Sequence, residues 1–152
     1  MLLFRIAHHC GRWTKPFSII SNIYLLMYLF LTEWLLGIEI PWQLQIGENL
    51  RIHHGYALVI HYQTVIGNDC TLRQSTTIGS KIGSGGAPVI GDRVDIGANT
   101  CIIGEITIGN DVIIGAGSVV VSDVPDNAVV VGNPARVIHK RDTTIVAQRI
   151  TG

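Results

Sequence analysis

IGDRVDIGANTCIIGEITIGNDVIIGAGSVV, residues 90–120, repeats itself every six residues. An aliphatic residue stands at Ile90, Ile96, Ile102, Ile108, Ile114 and Val120, and glycine follows at 91, 97, 109 and 115. The frame runs back to Ile60 through Ile66, Leu72 and Ile78, and of the eleven positions from Ile60 to Val120 only Ser84 is not aliphatic. The residue four places after the aliphatic is small or β-branched in most units: Thr64, Cys70, Thr76, Val94, Thr100, Ile106, Val112, Ser118. A period of six belongs neither to a helix, which repeats every 3.6 residues, nor to an alternating strand. It fits a coil of short strands joined by turns, with one inward aliphatic per side and three sides to each triangular turn. Stacked turns form parallel ladders around a continuous core. Glycine is expected at the turns, where positive φ or close backbone approach demands it. The fold class is therefore all-β: a parallel β-helix of hexapeptide repeats over 38–138, preceded by a helical segment, 1–37, and followed by a tail, 139–152.

Two irregularities interrupt the coil. Ile46, Ile52 and Leu58 obey the period of six but are out of step with Ile60 by two residues, so the stretch holding His53-His54-Gly55-Tyr56 carries an insertion. The second is GSKIGSGGAPV, residues 79–89, where Ser84 replaces the aliphatic; it reads as a loop pushed out from the prism. A regular prism has no concave site, and a bulged turn with an extruded loop can make one. Loops on rigid scaffolds are where sites usually lie. After Val120 the pattern ends in a turn, and residues 129–138 close the coil.

Composition narrows the classes. Hydrophobic residues make up 47% and charged residues 14%, which excludes a disordered chain. Net charge is zero and no long basic run occurs, so nucleic acid is not an expected partner. Cys10, Cys70 and Cys101 form no CxxC pair, and they read as small buried residues in a reducing cytoplasm. No metal is expected: the histidines lack the spacing of a zinc site, which argues against a β-helical carbonic anhydrase. Gly79-Ser80-Lys81 is not a phosphate-binding P-loop, because its glycine spacing is wrong. From Phe17 to Ile38 the only charge is Glu33, and Ile19, Ile20, Ile23, Leu26, Met27, Phe30 and Leu31 follow helical spacing. Two readings stand open there: one or two helices packed on the coil or a neighbouring subunit, and peripheral contact with the inner face of a membrane.

The bulge carries the chemistry. A hydroxyl attacking a thioester needs a base, and histidine is the usual one. The base needs a partner on its other ring nitrogen, commonly a carboxylate. Glu39 stands fifteen residues before His54, close to one turn of the coil, so the two fall about one layer apart. His53 and Tyr56 are candidates to line the acceptor site, whereas His61 reads as a surface residue and His8 and His9 as structural or exposed. Spacing alone leaves open whether His54 is a base or a structural histidine of the repeat.

EIPWQLQIGENLRIHHGYALVI, TVIGNDCTLRQSTTIG and IGANTCIIGEITIGNDVIIGAGSVVVSDVPDNAVVVGNPARVI together resemble the serine O-acetyltransferase branch of the hexapeptide-repeat acetyltransferases, over about residues 38–140. The resemblance implies a left-handed β-helix, acetyl-CoA as co-substrate and a homotrimer with active sites between subunits. It implies His54 as catalytic base and Glu39 as its acid, where the family commonly has Asp. Gly79, Ser80, Ala98 and Ala116 would line the coenzyme groove, with Arg136 or Lys140 near the phosphates. Three departures bear on the acceptor. Serine acetyltransferases carry an acidic residue where His53 stands, and an Arg-His pair where Gly86 and Ala87 precede Pro88; the long helical domain of that branch has no counterpart in the 37 residues before the coil. A serine zwitterion would be left unpaired in such a pocket. The short hydrophobic N-terminal segment and the loop ending GAPVIGD resemble sugar O-acetyltransferases of capsule and exopolysaccharide biosynthesis. A glycan hydroxyl is the expected acceptor; serine O-acetylation and a non-catalytic trimeric scaffold are the alternatives.

Overall fold

The computed structural model describes residues 2–11, 18–81, 83 and 85–140. Three parallel ladders form the faces of a prism. Sheet A stacks β1 (Ile38–Glu39), β4 (Leu58–Ile60), β7 (Thr77–Gly79), β10 (Cys101–Ile103) and β13 (Val119–Val120). Sheet B stacks β2 (Gln45–Ile46), β5 (Val65–Ile66), β8 (Val89–Ile90) and β11 (Thr107–Ile108). Sheet C stacks β3 (Arg51–His53), β6 (Thr71–Arg73), β9 (Asp95–Ile96), β12 (Ile113–Ile114) and β14 (Ala128–Gly132), and β15 (Ala135–Lys140) returns antiparallel along β14. The chain visits A, B and C in turn, so every layer has an A–B, a B–C and a C–A corner.

Register explains the phase breaks. In the regular part, Ile90 pairs with Ile108 and Ile96 with Ile114, each eighteen residues on. Ile38 pairs with Leu58, twenty residues on, so the first turn holds two extra residues, and they lie at the C–A corner after β3. Ile66 pairs with Ile90, twenty-four residues on, so the next irregular turn holds six, all between β7 and β8 at an A–B corner. The coil continues past Val120, where the regular repeat ends: Val124 bridges to Ile108 and β14 stacks on β12 in a shortened turn.

The inward aliphatics are the core. Ile60, Ile66, Leu72, Ile78, Ile90, Ile96, Ile102, Ile108, Ile114 and Val120 are all almost fully buried, and each such side chain stabilises the coil by about 1.5–3 kcal/mol relative to exposure. The small position four places on is explained by the corners: Thr76 Oγ1 donates to the Arg73 carbonyl at 2.8 Å, Thr100 to Gly97 at 2.7 Å and Ser118 to Gly115 at 2.6 Å. The B–C corner satisfies its amides differently. Asn68, Asp92, Asn110 and Asp126 each extend Oδ1 to the amide of the layer before, accepting from Glu48, Asn68, Asp92 and Asn110 at 2.7–2.8 Å. These bonds satisfy backbone donors that the strand ladders leave over at the bends.

The glycines that follow the inward aliphatics act through space and not through φ. Left-handed backbone at the corners falls on other positions, among them Asp69, Ser75, Arg93, Asn99, Asp111 and Gly117, whereas Gly91 packs against the next layer. A Cβ there would lie 2.9 Å from the carbonyl carbon and oxygen of Gly109 and 2.7 Å from Asn110 Oδ1. Gly91→Ala is expected to cost about 1–3 kcal/mol of stability through this overpacking, read as a lower urea midpoint.

Two helices cap the coil, α1 (Leu2–Gly11) and α2 (Ser18–Leu29), the latter running into a π-helical turn, Phe30–Leu35. Phe4, Ala7 and Tyr28 join the core beside Leu44. The buried Tyr28 hydroxyl donates to the Ile40 carbonyl at 2.7 Å, and desolvation pushes its pKa up. Among the described residues no helix is long and apolar enough to cross a membrane. Ile23, Leu26, Met27, Phe30 and Trp34 face outward. Cys70 is buried and burial raises its thiol pKa, Cys101 is half-buried, and the Cys10 side chain lies outside the described residues.

Candidate active site

The two-residue insertion shapes the corner that carries His54. His54 and Ala57 both adopt left-handed backbone, φ 52° and 55°. The Tyr56 amide donates to the His54 carbonyl at 2.6 Å, and the Ala57 amide to the Gly37 carbonyl of the entry strand at 2.9 Å. Gly55 lies against the core: a Cβ there would fall 2.9 Å from Ile52 Cγ2 and 3.0 Å from Ile38 Cδ1. The residue after His54 must therefore be small, and the backbone turns the imidazole outward, where it is exposed.

Glu39 ends β1 and pairs in register with Val59, five residues beyond His54. Its side chain is exposed. Among the described residues no hydrogen bond or ion pair joins Glu39 to His54. Both belong to the first turn of the coil. His53 is exposed at the end of β3, beside Arg73 in the ladder. Arg73 escaped the sequence reading. It pairs with Asp95 and donates to the Ile96 carbonyl at 3.0 Å, and the Asp95 hydrogen bond raises its pKa, so a fixed cation stands in the layer above His53. Tyr56 is 71% exposed, with its ring near Gly37.

The candidate coenzyme residues divide between two edges of the prism. Ala98 and Ala116 lie on the same C–A edge as His54. Successive layers are joined there by amides donating downward, Ser75 to Tyr56, Asn99 to Gln74 and Gly117 to Ala98, at 2.8–3.0 Å. Gly79 and Ser80 lie across sheet A on the A–B edge, where the Gly79 carbonyl accepts the Gly104 amide at 3.0 Å. The 80–88 segment leaves from that edge too. Bulge and loop therefore lie on different edges of the prism. Arg136 is exposed on β15 with its guanidinium donating to the Ala135 carbonyl at 2.9 Å. The side chain of Lys140, and residues 141–152, lie outside the described residues, as does Ser84. Among the described residues no group of His, Cys, Asp and Glu could hold a metal ion.

No family model matches the chain. The protein described as "Putative colanic acid biosynthesis acetyltransferase WcaB" of Escherichia coli K12 is 46% identical over 142 residues, 90% of this chain and 87% of that one. Among solved structures, the serine acetyltransferase of Neisseria gonorrhoeae superposes with a TM-score of 0.81 at 33% identity, covering 98% of this chain and 56% of the other. A Brucella abortus serine acetyltransferase in complex with coenzyme A gives 0.77 at 27% identity, covering 93% and 55%. The chain thus spans little more than half the length of those solved enzymes. The repeat, the corner histidine and these likenesses lead to one conclusion: the chain belongs to the hexapeptide-repeat, left-handed β-helix acetyltransferase family, in its serine acetyltransferase-like branch, and is an acyltransferase.

Proposed function

We propose that this chain transfers the acetyl group of acetyl-CoA to a sugar hydroxyl, as a homotrimer with its active sites between copies. The trimer is supported by the split of the candidate residues: Ala98 and Ala116 stand on one edge of the prism, Gly79 and Ser80 on another, and only two copies side by side bring the edges to one groove. Closed cyclic symmetry is the usual way to do so. The acceptor class is carried by one observation. The exposed neighbour of the base is His53 and the loop closes with Gly86-Ala87-Pro88, so the positions that would pair a serine ammonium and carboxylate hold no acid and no cation. The likeness to a relative named for colanic acid biosynthesis agrees with a glycan acceptor.

In this reading His54 takes the proton of the acceptor hydroxyl as its oxygen attacks the thioester carbonyl carbon. The tetrahedral intermediate collapses with cleavage of the C–S bond, and the imidazolium returns its proton to the leaving thiolate. Glu39, drawn to the other ring nitrogen in the substrate complex, fixes the tautomer and steadies the imidazolium. Backbone amides of the C–A edge supply the donors for the oxyanion.

CoA release from acetyl-CoA, followed with a thiol reagent, tests the acceptor. Methyl hexopyranosides or UDP-hexoses are expected to stimulate release and L-serine is not. Stimulation by L-serine alone overturns the sugar reading.

A further inference from the structure

One exposed aromatic pair is used by nothing above. His61 and Tyr62 form the A–B corner directly below the extruded loop, with ring centroids 4.6 Å apart and planes 40° apart. Tyr62 is 52% exposed. The corner beneath it is held firmly: the His61 amide donates to the Ile78 carbonyl at 2.8 Å, the Thr64 amide to the His61 carbonyl at 2.9 Å, and the Gln63 amide to His61 Nδ1 at 3.4 Å. The regular repeat favours glycine after the aliphatic, and here it has a histidine followed by a tyrosine. No packing within the chain calls for that pair.

Height along the coil gives it a purpose. His54 leaves sheet C after the A–B corner at 40–44 and before the one at 61–64, so its level falls between them. Gly79 and Ser80 likewise sit within one layer of Ala98. Copies related by a rotation axis along the prism keep equal levels. A groove that joins the C–A edge of one copy to the A–B edge of the next therefore sets His54 opposite the 61–64 corner.

Resting on the trimeric sugar-acetyltransferase reading, we infer that Tyr62 of one copy, braced by His61, is the platform on which the pyranose ring of the acceptor stacks, presenting its hydroxyl to His54 of the neighbouring copy. A sugar ring has an apolar C–H face that suits the electron-rich face of an aromatic ring, and such a contact needs neither cation nor anion. That matches a site whose His53, Gly86 and Ala87 supply neither the acid nor the cation that a serine zwitterion would need. Tyr62 is then a specificity residue.

The test compares initial rates for wild type, Tyr62→Ala, Tyr62→Phe and Tyr62→Trp, using whichever methyl hexopyranoside or UDP-hexose turns over best, with thermal melts and native mass as folding controls. Tyr62→Ala is expected to raise the acceptor KM about tenfold, while the acetyl-CoA KM moves less than about twofold and the two aromatic variants stay near wild type. An acceptor KM unchanged in Tyr62→Ala, an acetyl-CoA KM that rises with it, or a Tyr62→Phe variant as impaired as Tyr62→Ala overturns the platform. If sugars turn over and Tyr62→Ala is silent, only the platform falls. If L-serine alone turns over, the acceptor reading falls and the platform with it.

Discussion

His54→Asn is expected to lower kcat by about a thousandfold, in the range that loss of a positioned general base brings. Asparagine is the informative replacement because of the backbone. His54 holds φ at 52°, a conformation that asparagine tolerates and alanine adopts at a cost of about 1–2 kcal/mol. His54→Asn therefore removes the proposed base and leaves the corner in place, so a loss of rate with an unchanged melting curve belongs to chemistry. Acetyl-CoA affinity should hold, since the coenzyme positions lie in higher layers. Retention of full activity would remove His54 from the mechanism whatever the acceptor. Glu39→Gln is expected to do less damage, because the base survives and only its orientation and charge support are lost. A variant as impaired as His54→Asn would show that Glu39 does more than steady the ring.

Ile102→Ala is expected to be the most damaging single truncation of the coil, at about 2–5 kcal/mol. Ile102 is fully buried and stands in sheet A between Ile78 and Val120. It thus belongs to two layer interfaces, and a solenoid has no other contacts to share the loss. The cavity opens in the layer that follows the extruded loop, so local opening should reach the candidate groove as well. Urea unfolding at one fixed protein concentration reads the effect, since an assembled protein's stability depends on concentration. Val59→Ala, on the outer and partly exposed side of the same sheet, is the control. Equal losses in the two variants would mean that the inward row is not what holds the coil together.

The repeat was legible because it is one-dimensional. Each inward position from Ile60 to Val120 answers to the same constraint, so the sequence repeats what the structure repeats; the two-residue insertion appears as a phase shift before Ile60, and the six-residue one, which keeps the phase, appears as Ser84 in an aliphatic position. The role of glycine was left between two readings: spacing marks Gly91 as special but does not distinguish positive φ from a neighbouring layer less than 3 Å away. The separation of fifteen residues made the place of Glu39 and His54 in one turn of the coil legible. What spacing could not say is on which edge each residue falls. That depends on whether an insertion lies before β4 or before β8, and it sets Gly79 apart from Ala98. Arg73 and Tyr62 escaped for a related reason, since each occupies an ordinary outward position and gains meaning only from what stacks above it or stands across a groove.

The returning strand β15 bears on how far the molecule can grow. A parallel coil has no intrinsic stop: its last rung offers unpaired amides and carbonyls, and an identical rung could template onto them, as in cross-β fibrils. Here β14 spends that edge on β15, which runs the opposite way and brings Arg136 and His139 to the new outer margin. Reversed direction and added charge both discourage another chain from continuing the ladder. At the opposite end, the helices lay Phe4 and Ala7 over the first layer beside Leu44. The same regularity that makes the prism easy to stack within one chain is thereby kept from propagating into filaments between chains.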